Sequence, residues 1–161
     1  MKVPSSSNCI FCRIVRHDTS ARIIHENANA LALLDVFPVR AGHTLVITKK
    51  HYGKLQDLEE EDRNSLFQLV TRVSVALERS MNINATLIAI HNGRDAGQEI
   101  PHVHVHILPR TSGDGGAPIH SIFKSKIRLD QEKMDNILNE LKIDFRTELL
   151  EAEKHMKAVS H

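Results

Sequence analysis

The sequence predicts an α+β domain with a mostly antiparallel sheet. Three observations carry this. Short apolar or β-branched segments occur on both sides of one long helical repeat, a second helix-prone stretch closes the chain, and the connections between them are short. Residues 1–8, with Ser5-Ser6-Ser7, read as a loose tail. Cys9 to Arg16 reads as a short helix or turn. Arg22–His25 and Ala30–Asp35 are short apolar-rich segments split by Glu26-Asn27-Ala28-Asn29, which is a hairpin signal. Thr44–Thr48 is β-branched and reads as a strand. Asp57–Arg79 is the clearest helix: Asp57 supplies a cap, Glu60 takes the capping-box position, and Leu66, Phe67, Val70, Val73 and Leu77 follow at helical spacing. Thr86–Ile90 reads as a strand, followed by a Gly-containing loop and a strand over Pro101–Arg110. Residues 113–161 form a polar linker and then a charged helix over Leu129–Lys157, with Met134, Ile137, Leu138 and Leu141 as its apolar stripe.

Residues 101–110 carry the most chemistry. His102, His104 and His106 alternate with Val103, Val105 and Ile107. On an extended strand the imidazoles share one face and the aliphatic side chains the other. Two uses of such a face stay open. A neighbouring pair of rings can bind a metal, but all three cannot: the outer two stand about 13 Å apart on a regular strand, and zinc–nitrogen bonds are about 2 Å. Alternatively the rings divide the labour, one attacking and another handling a proton. Histidine suits this because its neutral, nucleophilic form dominates near pH 7.

Length and composition bound the rest. A chain of 161 residues fits one domain with a proper core. The net charge of +1 argues against a broad polyanion-binding surface, so phosphate recognition would be local and no nucleic-acid partner is expected. No run is apolar enough to suggest a membrane span, and no leader pattern is evident. Two cysteines spaced C-x-x-C, without secretory features, read as a metal or redox pair in a cytoplasmic protein.

His102-Val103-His104-Val105-His106-Ile107-Leu108 resembles the signature of the histidine triad (HIT) family. Asn92 to Gln98 resembles the loop preceding that signature. Asp35 to Ile47 resembles the family's ribose-side segment, and Cys9 to Ile14 the opening of prokaryotic-type members. The resemblance covers residues 9–112. Leu108-Pro109-Arg110 is similar to the dinucleoside polyphosphate hydrolase branch, whereas Cys9-Ile10-Phe11-Cys12 is similar to prokaryotic phosphoramidase-like members.

The resemblance implies a five-stranded antiparallel sheet with one long helix, two subunits forming a homodimer, and a C-terminal helical extension that packs on the domain or on the partner. It implies a hydrolase or nucleotidyl transferase cleaving the α-phosphate bond of AMP- or GMP-type conjugates. His104 would be the nucleophile, forming a nucleotidyl-histidine. His106 would contact phosphate or protonate the leaving group, and His43 would support the triad or touch substrate. Asp35 is the expected ribose ligand, since a carboxylate accepts from both hydroxyls of the sugar. Ile10, Phe11, Ile14, Leu33 and Val36 are the expected base pocket. Backbone amides of Gly97 and Gln98 are candidates to cradle phosphate. Two positions depart from the family pattern: His91 stands where relatives usually carry an amide side chain, and Glu99 where many carry a small hydroxyl residue. The resemblance also implies structural zinc on Cys9, Cys12, His51 and His102, two thiolates and two imidazoles in a closed tetrahedral set. One rival reading is a purine-nucleotide-binding interaction protein with vestigial catalysis. Another is a hydrolase whose histidines hold a catalytic zinc.

Overall fold

The computed structural model describes residues 8–122 and 127–159. It divides into two units, residues 1–116 and 117–161. The tail expected over residues 1–8 falls, but for Asn8, outside the described residues.

The first unit contains helix α1 (Ile10–Val15), strands β1 (Ile23–Glu26), β2 (Ala30–Leu34) and β3 (Thr44–Thr48), helix α2 (Glu60–Met81), and strands β4 (Ala85–Ala89) and β5 (His104–Arg110). The strands form one five-stranded sheet in the order β1-β2-β3-β5-β4, and each pairing is antiparallel. This is the sheet that the resemblance implies.

Register explains how the sheet serves two purposes. Ala32 pairs with Val46, which pairs with Val105. These residues face α2 and form a core with Leu66, Leu69, Val70, Val73 and Leu77. One residue along each strand, Leu31 pairs with Ile47 and then His104, and Leu33 with Leu45 and then His106. Directly paired residues point to the same face. The second face therefore has an aliphatic floor on β2 and β3 and imidazoles on β5. Phe11, Cys12 and Ile14 of α1 pack on that floor.

Three expectations need correction. The long helix begins at Glu60 with Glu59 at its N-cap, not at Asp57. Asp57 instead closes a 3₁₀ turn over Leu55–Asp57, its carboxylate accepting from the Lys54 backbone N–H at 3.0 Å. Phe67 is exposed, and Leu69 occupies the core in its place. His102 precedes β5 rather than lying on it, so the three imidazoles do not extend from one regular strand.

Gly42 fixes the turn into β3. Its φ of +82° suits glycine, and a Cβ there would stand 2.5 Å from Met81 Sδ and 3.0 Å from Pro109 Cγ. The next residue is His43.

The second unit is dominated by α3 (Gln131–Val159), which carries Met134, Ile137, Leu138 and Leu141 among charged residues. Among the described residues, no helix is long and apolar enough to cross a membrane.

Candidate functional site: a metal-ligand cluster beside a histidine-lined pocket

Two adjoining sites share the segment 102–106. In the first, Cys9, Cys12, His51 and His102 bring one potential ligand atom each to within 4.8 Å of the others. His102 Nδ1 lies 3.4 Å from Cys9 Sγ and 3.6 Å from Cys12 Sγ, and His51 Nδ1 lies 3.2 Å from Cys12 Sγ. Bond lengths of about 2.3 Å to sulfur and 2.0 Å to nitrogen at a tetrahedral angle put neighbouring ligands roughly 3.6 Å apart. The cluster therefore has the donor set and spacing that could hold zinc.

The surroundings favour ligation through the same atoms. His102 is fully buried and donates Nε2–H to the Thr48 carbonyl at 2.8 Å, which leaves the Nδ1 lone pair facing the thiols. Burial pushes the His102 imidazole down to about 4, so it stays neutral. Burial, reinforced by Cys9, pushes the Cys12 thiol up to about 11. Without an ion the Cys12 thiol remains protonated, and a bound cation would reverse that.

The second site is a cavity of about 550 Å³ on the imidazole face of the sheet. Ile10, Phe11, Ile14, Leu33 and Val36 all line it, joined by Asp35, His43, His91, Gly97, Glu99, His104 and His106. His104 donates Nδ1–H to the His102 carbonyl at 2.7 Å, so its Nε2 carries the free lone pair. Burial lowers its basicity and keeps it neutral. Its ring lies 5.2 Å from that of Phe11 and 4.9 Å from that of His106.

His106 and His43 are linked, Nδ1 to Nε2, at 3.0 Å. On the other side of the His43 ring, Nδ1 lies 3.3 Å from an Asp35 carboxylate oxygen. Burial first, then the neighbouring His104 and His43, pushes His106 down to about 4. Burial likewise lowers His43, opposed by the Asp35 charge. The His106 Nε2 atom is buried without a hydrogen-bond partner.

The glycine loop is arranged differently from the expectation. The Gly97 and Gln98 amides already donate within it, to Arg94 and Gly93 carbonyls at 2.9 and 3.2 Å. The buried Gln98 side chain turns away from the cavity, bonding the Gly53 carbonyl at 2.9 Å and the Gly93 amide at 3.0 Å. It acts as a brace. The His91 ring lies tilted beside that of His106, with centroids 5.2 Å apart, and Glu99 lines the cavity while exposed.

Sequence reasoning missed other wall residues, notably Thr19, Ser20, Ala21 and Phe37. The turn between α1 and β1 offered no chemical signal for the first three, and Phe37 follows β2.

Comparison with known proteins agrees with this geometry. The HIT domain family model matches residues 16–113. An uncharacterized HIT-like protein of Methanocaldococcus jannaschii is 38% identical over 107 residues, spanning 66% of this chain and 82% of its own length. Adenylylsulfatase HINT3 of Arabidopsis thaliana is 31% identical over 134 residues, spanning 81% of this chain and 68% of its own. The crystal structure of a zinc-bound histidine triad family protein from Mycobacterium smegmatis superposes with a TM-score of 0.64 at 34% identity. That match covers 79% of this chain and 86% of the other.

Proposed function

The chain belongs to the HIT domain family, and on that premise we propose that it hydrolyses or transfers the nucleotidyl group of purine nucleotide conjugates through a covalent intermediate on His104. The observation carrying this reading is the His104 Nδ1–H bond to the His102 carbonyl, which fixes a tautomer with a free lone pair on Nε2 beside the cavity.

In the first step His104 Nε2 attacks the α-phosphorus. The leaving group departs with the electron pair of the scissile bond and takes a proton from the imidazolium form of His106, which leaves that ring neutral. In the second step water attacks the same phosphorus, gives its proton back to His106, and the nitrogen–phosphorus bond breaks to free His104. Two easier displacements replace one difficult one. General acid help of this kind is worth about two to four decades in rate.

Asp35 is assigned to the ribose hydroxyls, and the aliphatic floor with Phe11 to the base. Dinucleoside polyphosphates and nucleoside phosphoramidates share the α-phosphorus that this scheme needs. An adenylyl sulfate, suggested by the adenylylsulfatase relative, is a third conjugate of the same kind. Zinc, held by Cys9, Cys12, His51 and His102, would tie the start of α1 to the triad segment and takes no part in the two steps. The proposal includes a homodimer in the cytoplasm.

The test is a substrate panel with mass detection of nucleotidylated protein. An adduct mapping to His104, together with a His104→Ala variant that binds AMP but does not turn over, supports the assignment. An adduct on another side chain, or near wild-type turnover in the variant, refutes it. Binding of AMP with turnover of no conjugate transfers the assignment to a nucleotide-binding interaction protein.

A further inference from the structure

Asp114 is a buried charge that the proposed chemistry does not use. Its side chain is 2% exposed, and four donors converge on it. One carboxylate oxygen accepts from Arg110 Nε at 2.8 Å and from the Thr111 amide at 2.9 Å. The other accepts from Arg110 Nη2 at 3.0 Å and from the Gly116 amide at 2.8 Å. Arg110 Nη2 also donates to the Gly116 carbonyl at 2.7 Å. The forked guanidinium and the two amides hold the Asp114 carboxyl well below the usual carboxylate range. The loop after β5 is thus folded around one charged group.

Arg40 reaches this loop from the turn between β2 and β3. Its Nη1 donates to the Asp114 backbone carbonyl at 3.0 Å and lies 3.4 Å from the carboxylate. The turn is closed on itself. The Asp35 amide donates to the His43 carbonyl at 3.0 Å, and the His43 amide to the Arg40 carbonyl at 3.0 Å. Asp35 and His43, which serve the cavity, are therefore placed by the same short ring of backbone as Arg40.

Packing alone is a poor anchor for such a turn. Val36, Phe37 and Val39 are exposed, Phe37 by 87%, and apolar surface left in water contributes nothing to holding it. Gly42 lies close against Met81 and Pro109 at one end. Arg40 supplies a second anchor, and Asp114 is what that anchor grips.

We infer that Asp114 is a positioning residue for the site. By folding residues 111–116 around its carboxylate, it offers Arg40 a fixed carbonyl and a counter-charge. It thereby sets the Asp35–His43 turn against the end of β5, the strand that carries His104 and His106. Pre-organising the turn removes an ordering cost that nucleotide binding would otherwise meet. The inference rests on the proposed function, in which Asp35 binds ribose and His43 supports His106.

The test compares the full chain with its Asp114→Asn and Arg40→Ala variants, by amide hydrogen exchange and by nucleotide affinity. Either substitution should speed exchange of the Asp35 and His43 amides by about tenfold, the scale of one lost hydrogen bond to a charged group, with the α2 amides unchanged. AMP should lose affinity on the same scale. 2′,3′-Dideoxy-AMP, which offers Asp35 no diol, should lose little. Faster exchange at Thr111 and Gly116 with Asp35 and His43 unchanged would show a role confined to the loop, and overturns the inference. A wild-type preference for AMP that both variants keep overturns it as well. Equal binding of the two nucleotides by the wild-type chain would instead remove Asp35 from the ribose in the proposed function, and the exchange rates would then decide the clamp alone. Arg40→Ala leaves the buried carboxylate and its loop in place, so it carries the test if Asp114→Asn does not fold.

Discussion

Removing zinc from the Cys9–Cys12–His51–His102 cluster should cost the fold about 4 kcal/mol when free zinc had been held a thousandfold above its Kd, because the ion stabilises only the state that assembles its ligands. The structure shows why the unfolded chain offers no equal site. The four donors come from α1, from the segment after β3 and from the segment before β5. Unfolding scatters them. The metal-free folded site gains nothing in exchange: the Cys12 thiol stays protonated, pushed up to about 11. For a domain of this size, 4 kcal/mol corresponds to a fall in Tm of roughly 12–20 °C. Calorimetry with and without chelator, paired with elemental analysis, makes the comparison, and Cys12→Ser should reproduce the loss. A chain that purifies without zinc, or a Tm that chelation leaves in place, would refute the reasoning.

Three further outcomes follow from the geometry. His106 titrates near 4 because burial and the neighbouring imidazoles oppose its charge, and the nucleophile His104 is lowered chiefly by burial; the His106 acid form therefore grows as pH falls from 6.5 toward 4, so kcat for a conjugate whose leaving group needs a proton should not fall through 6.5, and an acid limb at 6.5 or above would contradict the placement of both rings. The same shifts set the sign of the stability change. Between 6.5 and about 4 the unfolded state binds more protons than the folded one, so this stability is complete above pH 6.5 and is lost as pH falls toward 4, which a series of Tm measurements reads. Gly42→Ala should destabilise by about 1–3 kcal/mol, since φ is +82° and the new Cβ meets Met81 Sδ at 2.5 Å and Pro109 Cγ at 3.0 Å. The thioether can swing aside but the proline ring on β5 cannot. A urea-unfolding difference under about 0.5 kcal/mol would show that the turn relaxes.

β-Branching was enough to locate β3, whose five residues are all buried, on the two faces of the sheet. The helical stripe was less determinate. Leu66-Phe67 and Leu69-Val70 are adjacent apolar pairs, and a 3.6-residue period accepts either member of each. The position of the sheet chose Leu66, Leu69 and Val70 and left Phe67 outside. The Asp57-to-Glu60 spacing matched a capping box, yet the preceding 3₁₀ turn took the Asp57 carboxylate first. Gln98 read as phosphate-loop chemistry because glycine-rich loops so often bind anions, but its side chain braces the loop against Gly53 and Gly93. Nothing local in the sequence joins Cys9 to His102, or Asp35 to His43. The first pair needs the sheet to bring α1 beside the triad segment. The second needs a turn of the particular tightness that Gly42 allows.

His102 shows why metal loss and catalytic loss should separate. Its side chain belongs to the cysteine cluster, while its backbone carbonyl receives the His104 Nδ1 proton at 2.7 Å. An ion that alone positioned this residue would, on leaving, also release the tautomer of the nucleophile. Other bonds hold it. The imidazole Nε2–H reaches the Thr48 carbonyl at 2.8 Å, the backbone N–H reaches the Ile100 carbonyl at 2.8 Å, and the Val103 amide just beyond binds the Tyr52 carbonyl at 2.7 Å. The carbonyl that orients His104 thus stays in place for as long as β3 and the segment after it remain docked. Chelation should then lower the fraction of folded molecules without changing the rate of adduct formation in those still folded. A single-turnover experiment below the apo melting temperature reads that rate directly. A rate per folded molecule that falls with zinc occupancy would show that the ion, rather than the Thr48 and Ile100 carbonyls, holds the triad segment in register.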